Sequence, residues 1–145
     1  MGLDFIKSKD ILDGNYIPND NEPFMNERQV DYFKLKLINW KKAILSDSKD
    51  TITVMKEETR NIPDVADRAA EETDRALELR TRDRQRKLIS KIDSALRRID
   101  DGSYGYCEET GEPISLRRLD ARPIATLSVE AQERHERRER DHRDD

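Results

Sequence analysis

The sequence predicts a mainly α protein: a long antiparallel coiled-coil hairpin, then a small globular module with a C-terminal helix. Three observations carry that reading. Val30, Phe33, Leu37, Trp40 and Ile44 follow a 3-4-3-4 spacing, one stripe of a heptad, as in a helix packed along a partner helix. Asn61 and Pro63 interrupt the helical pattern before a second long one begins, and so short a connection makes the two helices antiparallel neighbours. After Gly102 the pattern gives way to a short, aromatic, turn-rich stretch.

Composition agrees. Of 145 residues, 34% are hydrophobic and 41% charged, and mean hydropathy is -1.02. Such a chain cannot fill one large round core and must be elongated or partly disordered. Its net charge of -4 hides a fine mixture of 28 basic and 32 acidic residues. That mixture argues against bulk binding to duplex DNA, which favours a basic face of one sign. A single cysteine, Cys107, excludes an intrachain disulfide. No apolar run approaches membrane-spanning length. With no secretory apolar region at the N-terminus, the expectation is a cytoplasmic protein with no membrane partner.

In chain order, residues 1–25 read as an irregular arm, with a turn at Asp13-Gly14-Asn15 and proline-bounded polar residues from Pro18 to Pro23. Residues 26–100 form the hairpin, with its tip at about 60–69, and residues 101–145 the module. Asn26 caps the first helix, and Gln29 is placed to return the bond in a capping box. The first helix ends near Thr59, and Asp64 caps the second. The second runs to about Ile99, and Asp100-Asp101-Gly102 stops it. At ~1.5 Å per residue it spans roughly 50 Å. Its seam reads as Thr73, Leu77, Leu88, Ile92, Ala95 and Ile99, with a polar break near Arg80 and Arg84. Glu71 with Arg75, Glu78 with Arg82, Asp83 with Lys87 and Asp93 with Arg97 suit a solvated face. The module continues with a compact piece around Leu116, Leu119, Pro123 and Ile124, and Ser128 caps a last, highly charged helix.

Three groups of residues have chemistry to offer. Asp64 and Asp67, three apart at the tip, suit a magnesium ion held there or nearby. The plainer reading is a helix cap plus a carboxylate at the positive end of the helix dipole. Arg80, Arg82, Arg84, Arg86, Lys87 and Lys91 suit phosphate groups, or form only a solvated face. Positions 107, 110, 128 and 131 have the spacing of two C-x-x-C knuckles, but hold Cys107, Thr110, Ser128 and Ala131. One thiolate cannot hold structural zinc, and His135 and His142 read as surface residues. The expectation is therefore no metal and no cofactor.

Together these segments resemble the DksA family of bacterial RNA polymerase-binding transcription factors, from about Met25 to Gln132. Asn61–Ala70 looks like the family's tip, Glu78–Ile89 like its second coiled-coil helix, and Tyr104–Cys107 with Ile114–Pro123 like its globular module. The resemblance implies a coiled coil that enters the polymerase secondary channel and brings its tip near the active site without touching DNA. It implies Asp67 and Ala69 as functional tip residues, with Asp64 beside them. It implies Arg84, Leu88, Lys91 and Arg122 as a surface for the alarmone ppGpp. Cations flanking one apolar residue suit a phosphate-rich ligand with a purine. The replaced ligand positions point to the family's zinc-free branch, with Thr110 turning the loop and Ser128 capping the helix. Gln132 stands where the zinc-containing members often have a lysine.

The expected protein is thus a monomeric, non-enzymatic regulator of transcription initiation in the stringent response. Two rivals stand beside it. One resembles the Gre transcript-cleavage factors, which also carry an acidic hairpin tip, although the module motifs favour DksA. The other is a plain coiled-coil adaptor whose tip is only a capped turn.

Overall fold

The computed structural model describes Ile11, residues 14–59 and residues 65–144, with the side chains among them outside 48–59, 65–66 and 144. Among the described residues there are four helices: α1 (Glu27–Thr59), α2 (Val65–Asp101), α3 (Leu116–Ala121) and α4 (Val129–Asp144). The only pairing of strand type among them is an isolated bridge between Tyr106 and Pro113. The chain divides into two compact units. Ile38–Asp93 forms the hairpin unit, and Met1–Leu37 with Ser94–Asp145 forms the terminal unit.

In the hairpin unit α1 and α2 run antiparallel, because Lys41, early in the unit, holds Asp93 at its very end, Nζ to Oδ1 at 2.6 Å. Ile38, Ile44 and Ile92 are buried there, as an apolar heptad stripe requires. Farther along α2, toward residues 60–64, the seam departs from the expected one. Thr73 and Leu77 are exposed. The half-buried positions are Glu71, Arg75, Glu78, Arg82, Gln85 and Ile89, a 4-3-4-3-4 series that continues to Ile92. Leucines at 77 and 79 therefore face outward, and charges occupy the seam. Glu71 and Arg75 do approach each other, at 4.0 Å. Asp83 and Lys87 pair at 3.2 Å on the solvated side.

The terminal unit buries Phe33 and Leu37 of α1, Ala95 and Leu96 of α2, and Tyr104, Ile114, Leu119 and Ala131 of the later segments. Phe33 meets the Tyr104 ring at 5.7 Å between centroids. The arm docks here by specific contacts. Asn26 Oδ1 accepts the Gln29 N–H at 2.9 Å, the expected cap. Gln29 does not close the expected box with Asn26. Its side chain is fully buried, accepts the Met25 N–H at 2.8 Å and donates to the Asn19 carbonyl at 3.1 Å. Met25 sits in the left-handed region, φ 53°. Its side chain lies against Gly105, φ +92°, where an added Cβ would meet Met25 Cε at 3.0 Å. Gly102, φ 83°, ends α2, and its N–H bonds the Ile99 carbonyl at 3.4 Å.

α3 is one short turn and a half, with Ser115 Oγ accepting the Arg118 N–H at 3.2 Å. Tertiary contacts fix it. Tyr32 donates its hydroxyl proton to the Asp120 carboxylate. Lys36 Nζ bonds both the Asp120 carbonyl at 2.6 Å and its carboxylate at 2.7 Å. Arg118 Nε reaches the Leu127 carbonyl at 2.9 Å, tying α3 to the approach of α4.

Candidate functional site

The two families of candidate residues fall in different places. In the hairpin unit, α2 begins beside the connection, with Asp67 in its first turn. Asp67 and Ala69 are exposed. Asp64 and the turn around it lie outside the described residues. Asp67, Ala70, Asp74, Leu77, Thr81, Arg84, Leu88 and Lys91 fall along one 3-4 stripe of the uninterrupted helix, so they share a face. Every member is exposed except Leu88, which is half-buried. Charge changes sign along the stripe, from Asp67 and Asp74 to Arg84 and Lys91. Such a face can present a carboxylate at one end and grip an anion at the other.

In the terminal unit, Arg122 is exposed at the end of α3, where its N–H bonds the Arg118 carbonyl at 2.7 Å. Its placement depends on α3, hence on Tyr32, Lys36 and Asp120, which the sequence did not reveal. Desolvation works to raise the Asp120 pKa, but the hydrogen bonds from Lys36 and Tyr32 and the Lys36 charge outweigh it, and its carboxyl stays below the usual range. Tyr32 and Lys36 are four apart off the heptad stripe, and a six-residue helix has no period to read. Gln132 is half-buried on α4, and its amide donates to Glu136 Oε1 at 3.2 Å.

The four knuckle positions come together in the same unit. The Cys107 N–H bonds the Glu112 carbonyl at 2.8 Å, and the Gly111 N–H bonds the Cys107 carbonyl at 2.9 Å. Thr110 Oγ1 accepts the Glu112 N–H at 3.3 Å and so turns the loop. Ser128 Oγ accepts the Ala131 N–H at 3.2 Å and so caps α4. Cys107 is 2% exposed. Burial alone would raise its thiol, but hydrogen bonds from the Thr110 hydroxyl and from backbone N–H groups of Ser128, Thr110 and Glu109 bring it down to about 6.

The chain is thus a charged helical hairpin followed in sequence by a small module built on four knuckle positions, and the family models give that class its name. Residues 29–99 match the family model described as DnaK suppressor protein DksA, N-terminal domain. Residues 102–137 match the prokaryotic dksA/traR C4-type zinc finger. An RNA polymerase-binding transcription factor DksA of Caulobacter vibrioides is 71% identical over 131 residues, covering 90% of this chain and 92% of that protein. The protein of the same name from Escherichia coli K12 is 42% identical over 125 residues, covering 86% of this chain and 83% of that one. The solved structure of transcription factor DksA2 from Pseudomonas aeruginosa superposes with a TM-score of 0.76 at 42% identity, covering 85% of this chain and 93% of that one. The chain belongs to the DksA family.

Membership corrects one expectation. The module was expected to carry no cofactor, whereas residues 102–137 belong to a C4-type zinc finger, a zinc-binding family. The residues present at the four positions fit that ion poorly. Cys107 supplies one thiol, Thr110 and Ser128 offer hydroxyls, and Ala131 offers no ligand atom. Among the described residues no three His, Cys, Asp or Glu side chains converge on a metal position. The contacts above close the knuckles through backbone groups, and no functional step is derived through zinc.

Proposed function

We propose that this protein binds bacterial RNA polymerase and regulates transcription initiation by inserting its hairpin into the secondary channel, with ppGpp as effector. The observation that carries the reading is one exposed stripe of α2, which holds Asp67 near the connection and the cluster Arg84, Leu88, Lys91 farther along. Relatives at 71% and 42% identity bear the name RNA polymerase-binding transcription factor, which supports polymerase as the partner. In this reading residues 1–25 are an arm, 26–100 the hairpin and 101–145 the module. Asp64, Asp67 and Ala69 face the polymerase active centre. Arg84, Leu88 and Lys91 of the hairpin unit, and separately Arg122 of the terminal unit, are the residues proposed for ppGpp, whose phosphates suit guanidinium and ammonium groups. The protein acts as a cytoplasmic monomer, makes no sequence-specific contact with DNA and performs no catalysis of its own. Among the described residues no helix is long and apolar enough to cross a membrane.

Transcription in vitro from a ribosomal RNA promoter, with and without ppGpp, tests the reading. Wild type should repress, more strongly with ppGpp. Asp67→Asn should bind polymerase equally but repress less. Because Asp67 is exposed in the first helical turn, its loss should lower stability by only about 0.3–1 kcal/mol, so a regulatory defect would not come from unfolding. No repression by wild type refutes the proposal. Efficient shortening of RNA in stalled complexes would instead place the protein with the cleavage factors.

A further inference from the structure

α3 has only six residues, Leu116–Ala121. A helix that short does not hold itself, and its last carbonyls have no intrahelical partner. Lys36 supplies one from α1. Its ammonium bonds the Asp120 carbonyl at 2.6 Å and the Asp120 carboxylate at 2.7 Å. Tyr32, one turn earlier on α1, completes the clamp. Its ring centroid lies 5.7 Å from the ammonium, and its hydroxyl donates to the same carboxylate.

The chain on the other side of Arg122 is tied as well. The Arg122 carbonyl accepts the Ala125 N–H at 3.0 Å. The Pro123 carbonyl accepts the buried Tyr104 hydroxyl at 2.7 Å. The backbone of Arg122 is thus fixed from both directions, by α1 through Asp120 and by Tyr104 through Pro123. Its side chain is exposed, and among the described residues its guanidinium makes no ion pair or hydrogen bond. A guanidinium with a fixed base and unoccupied donors loses little freedom when it grips an anion.

We infer that Lys36 is a positioning residue for Arg122, acting through Asp120 and α3. On the ppGpp reading above, on which this rests, Lys36 sets how firmly Arg122 holds a phosphate of ppGpp without itself touching the ligand. Two of the three ammonium donors already go to Asp120. All the residues concerned lie within the terminal unit.

The test is the ppGpp concentration that gives half-maximal repression of a ribosomal RNA promoter in vitro, with the full-length protein and with polymerase alone as baseline. Arg122→Ala should raise that concentration about tenfold, the effect of losing one charge-assisted bond. Lys36→Met removes the donors and keeps an unbranched stem, and should raise it about fivefold. The double variant should match Arg122→Ala within about twofold, because residues that act through one another are not additive. Lys36→Arg, which can still donate to both Asp120 oxygens, should stay near wild type. Repression without ppGpp should be the same in wild type and Lys36→Met. An unchanged ppGpp requirement in Lys36→Met, beside a raised one in Arg122→Ala, overturns the inference and leaves the ppGpp reading standing. Losses that multiply in the double variant also overturn it, because Lys36 would then act apart from Arg122. So does a fall in ppGpp-free repression large enough to account for the whole Lys36→Met defect, which would be a loss of fold. No change in Arg122→Ala removes Arg122 from the ppGpp reading, and this inference with it.

Discussion

Tyr104 offers a clean test of how the terminal unit is held. Its ring is 2% exposed, and its hydroxyl donates to the Pro123 carbonyl at 2.7 Å in a buried setting. Tyr104→Phe removes the hydroxyl and keeps the ring against Phe33. The Pro123 carbonyl then loses its donor in a place that water reaches poorly. A lost net hydrogen bond plus an unsatisfied acceptor amounts to about 1–2 kcal/mol. In a unit of this size that lowers the melting midpoint by about 5–10 °C. The near-ultraviolet circular dichroism of the tyrosines in this unit reports the transition. Alkaline pH adds a second arm. Burial drives the Tyr104 phenol above its ordinary range, with Arg98 pulling the other way. Burial, then a hydrogen bond to a carboxylate, pushes Tyr16 and Tyr32 up to about 12. The unfolded chain releases these protons near 10.0 while the folded unit keeps them. The stability they contribute is whole below pH 10.0 and is lost as pH rises through about 12. Tyr104→Phe should therefore flatten the decline above pH 10.0. A variant that melts with wild type at neutral pH and falls as steeply in alkali would refute the role given to this hydroxyl.

Gly105→Ala should strain the backbone at φ +92° and press on Met25 Cε at 3.0 Å and Phe24 Cζ at 3.2 Å. The loss should be about 1–3 kcal/mol, seen as faster proteolysis between Asn15 and Asn26. Asp120→Asn should cost about 1 kcal/mol or less, because that carboxylate is 44% exposed and Lys36 keeps the carbonyl at 2.6 Å. Since the folded Asp120 pKa is depressed, the gap between wild type and variant should persist above pH 3.8 and close as pH falls below it, as urea titrations would show.

Much of the hairpin was legible because a heptad is a long, repeated signal. Phe33, Leu37 and Ile44 are buried as their spacing demanded. The seam of α2 toward the connection differs from the sequence expectation because Leu77, the core residue by pattern, faces outward. The phase of the helix is fixed by Ile92 and the pairing of Asp93 with Lys41, which no local pattern reports. Gln29 was recognised as a capping residue but not its partner, since Met25 adopts a left-handed backbone only in the docked arm. α3 escaped notice because its stability comes from Tyr32 and Lys36, residues more than eighty positions away. Of the candidate residues, Asp67 is legible as an acid of the tip and Arg84 and Lys91 as members of a basic segment, whereas Leu88 and Arg122 rest on the family resemblance. The support that Asp120 gives to Arg122 had no such signature.

The terminal unit is made from two stretches of chain, Met1–Leu37 and Ser94–Asp145, while the hairpin unit is continuous. Synthesis on the ribosome therefore delivers the hairpin whole before the terminal unit has its second half. Phe33 and Leu37 leave the exit tunnel long before Tyr104, Ile114 and Leu119 exist to share a core with them. During that interval an apolar surface waits uncovered on the nascent chain. Slow elongation at any point between the emergence of Leu37 and that of Leu119 lengthens the wait, so the yield of this protein should fall as translation of that whole stretch is slowed.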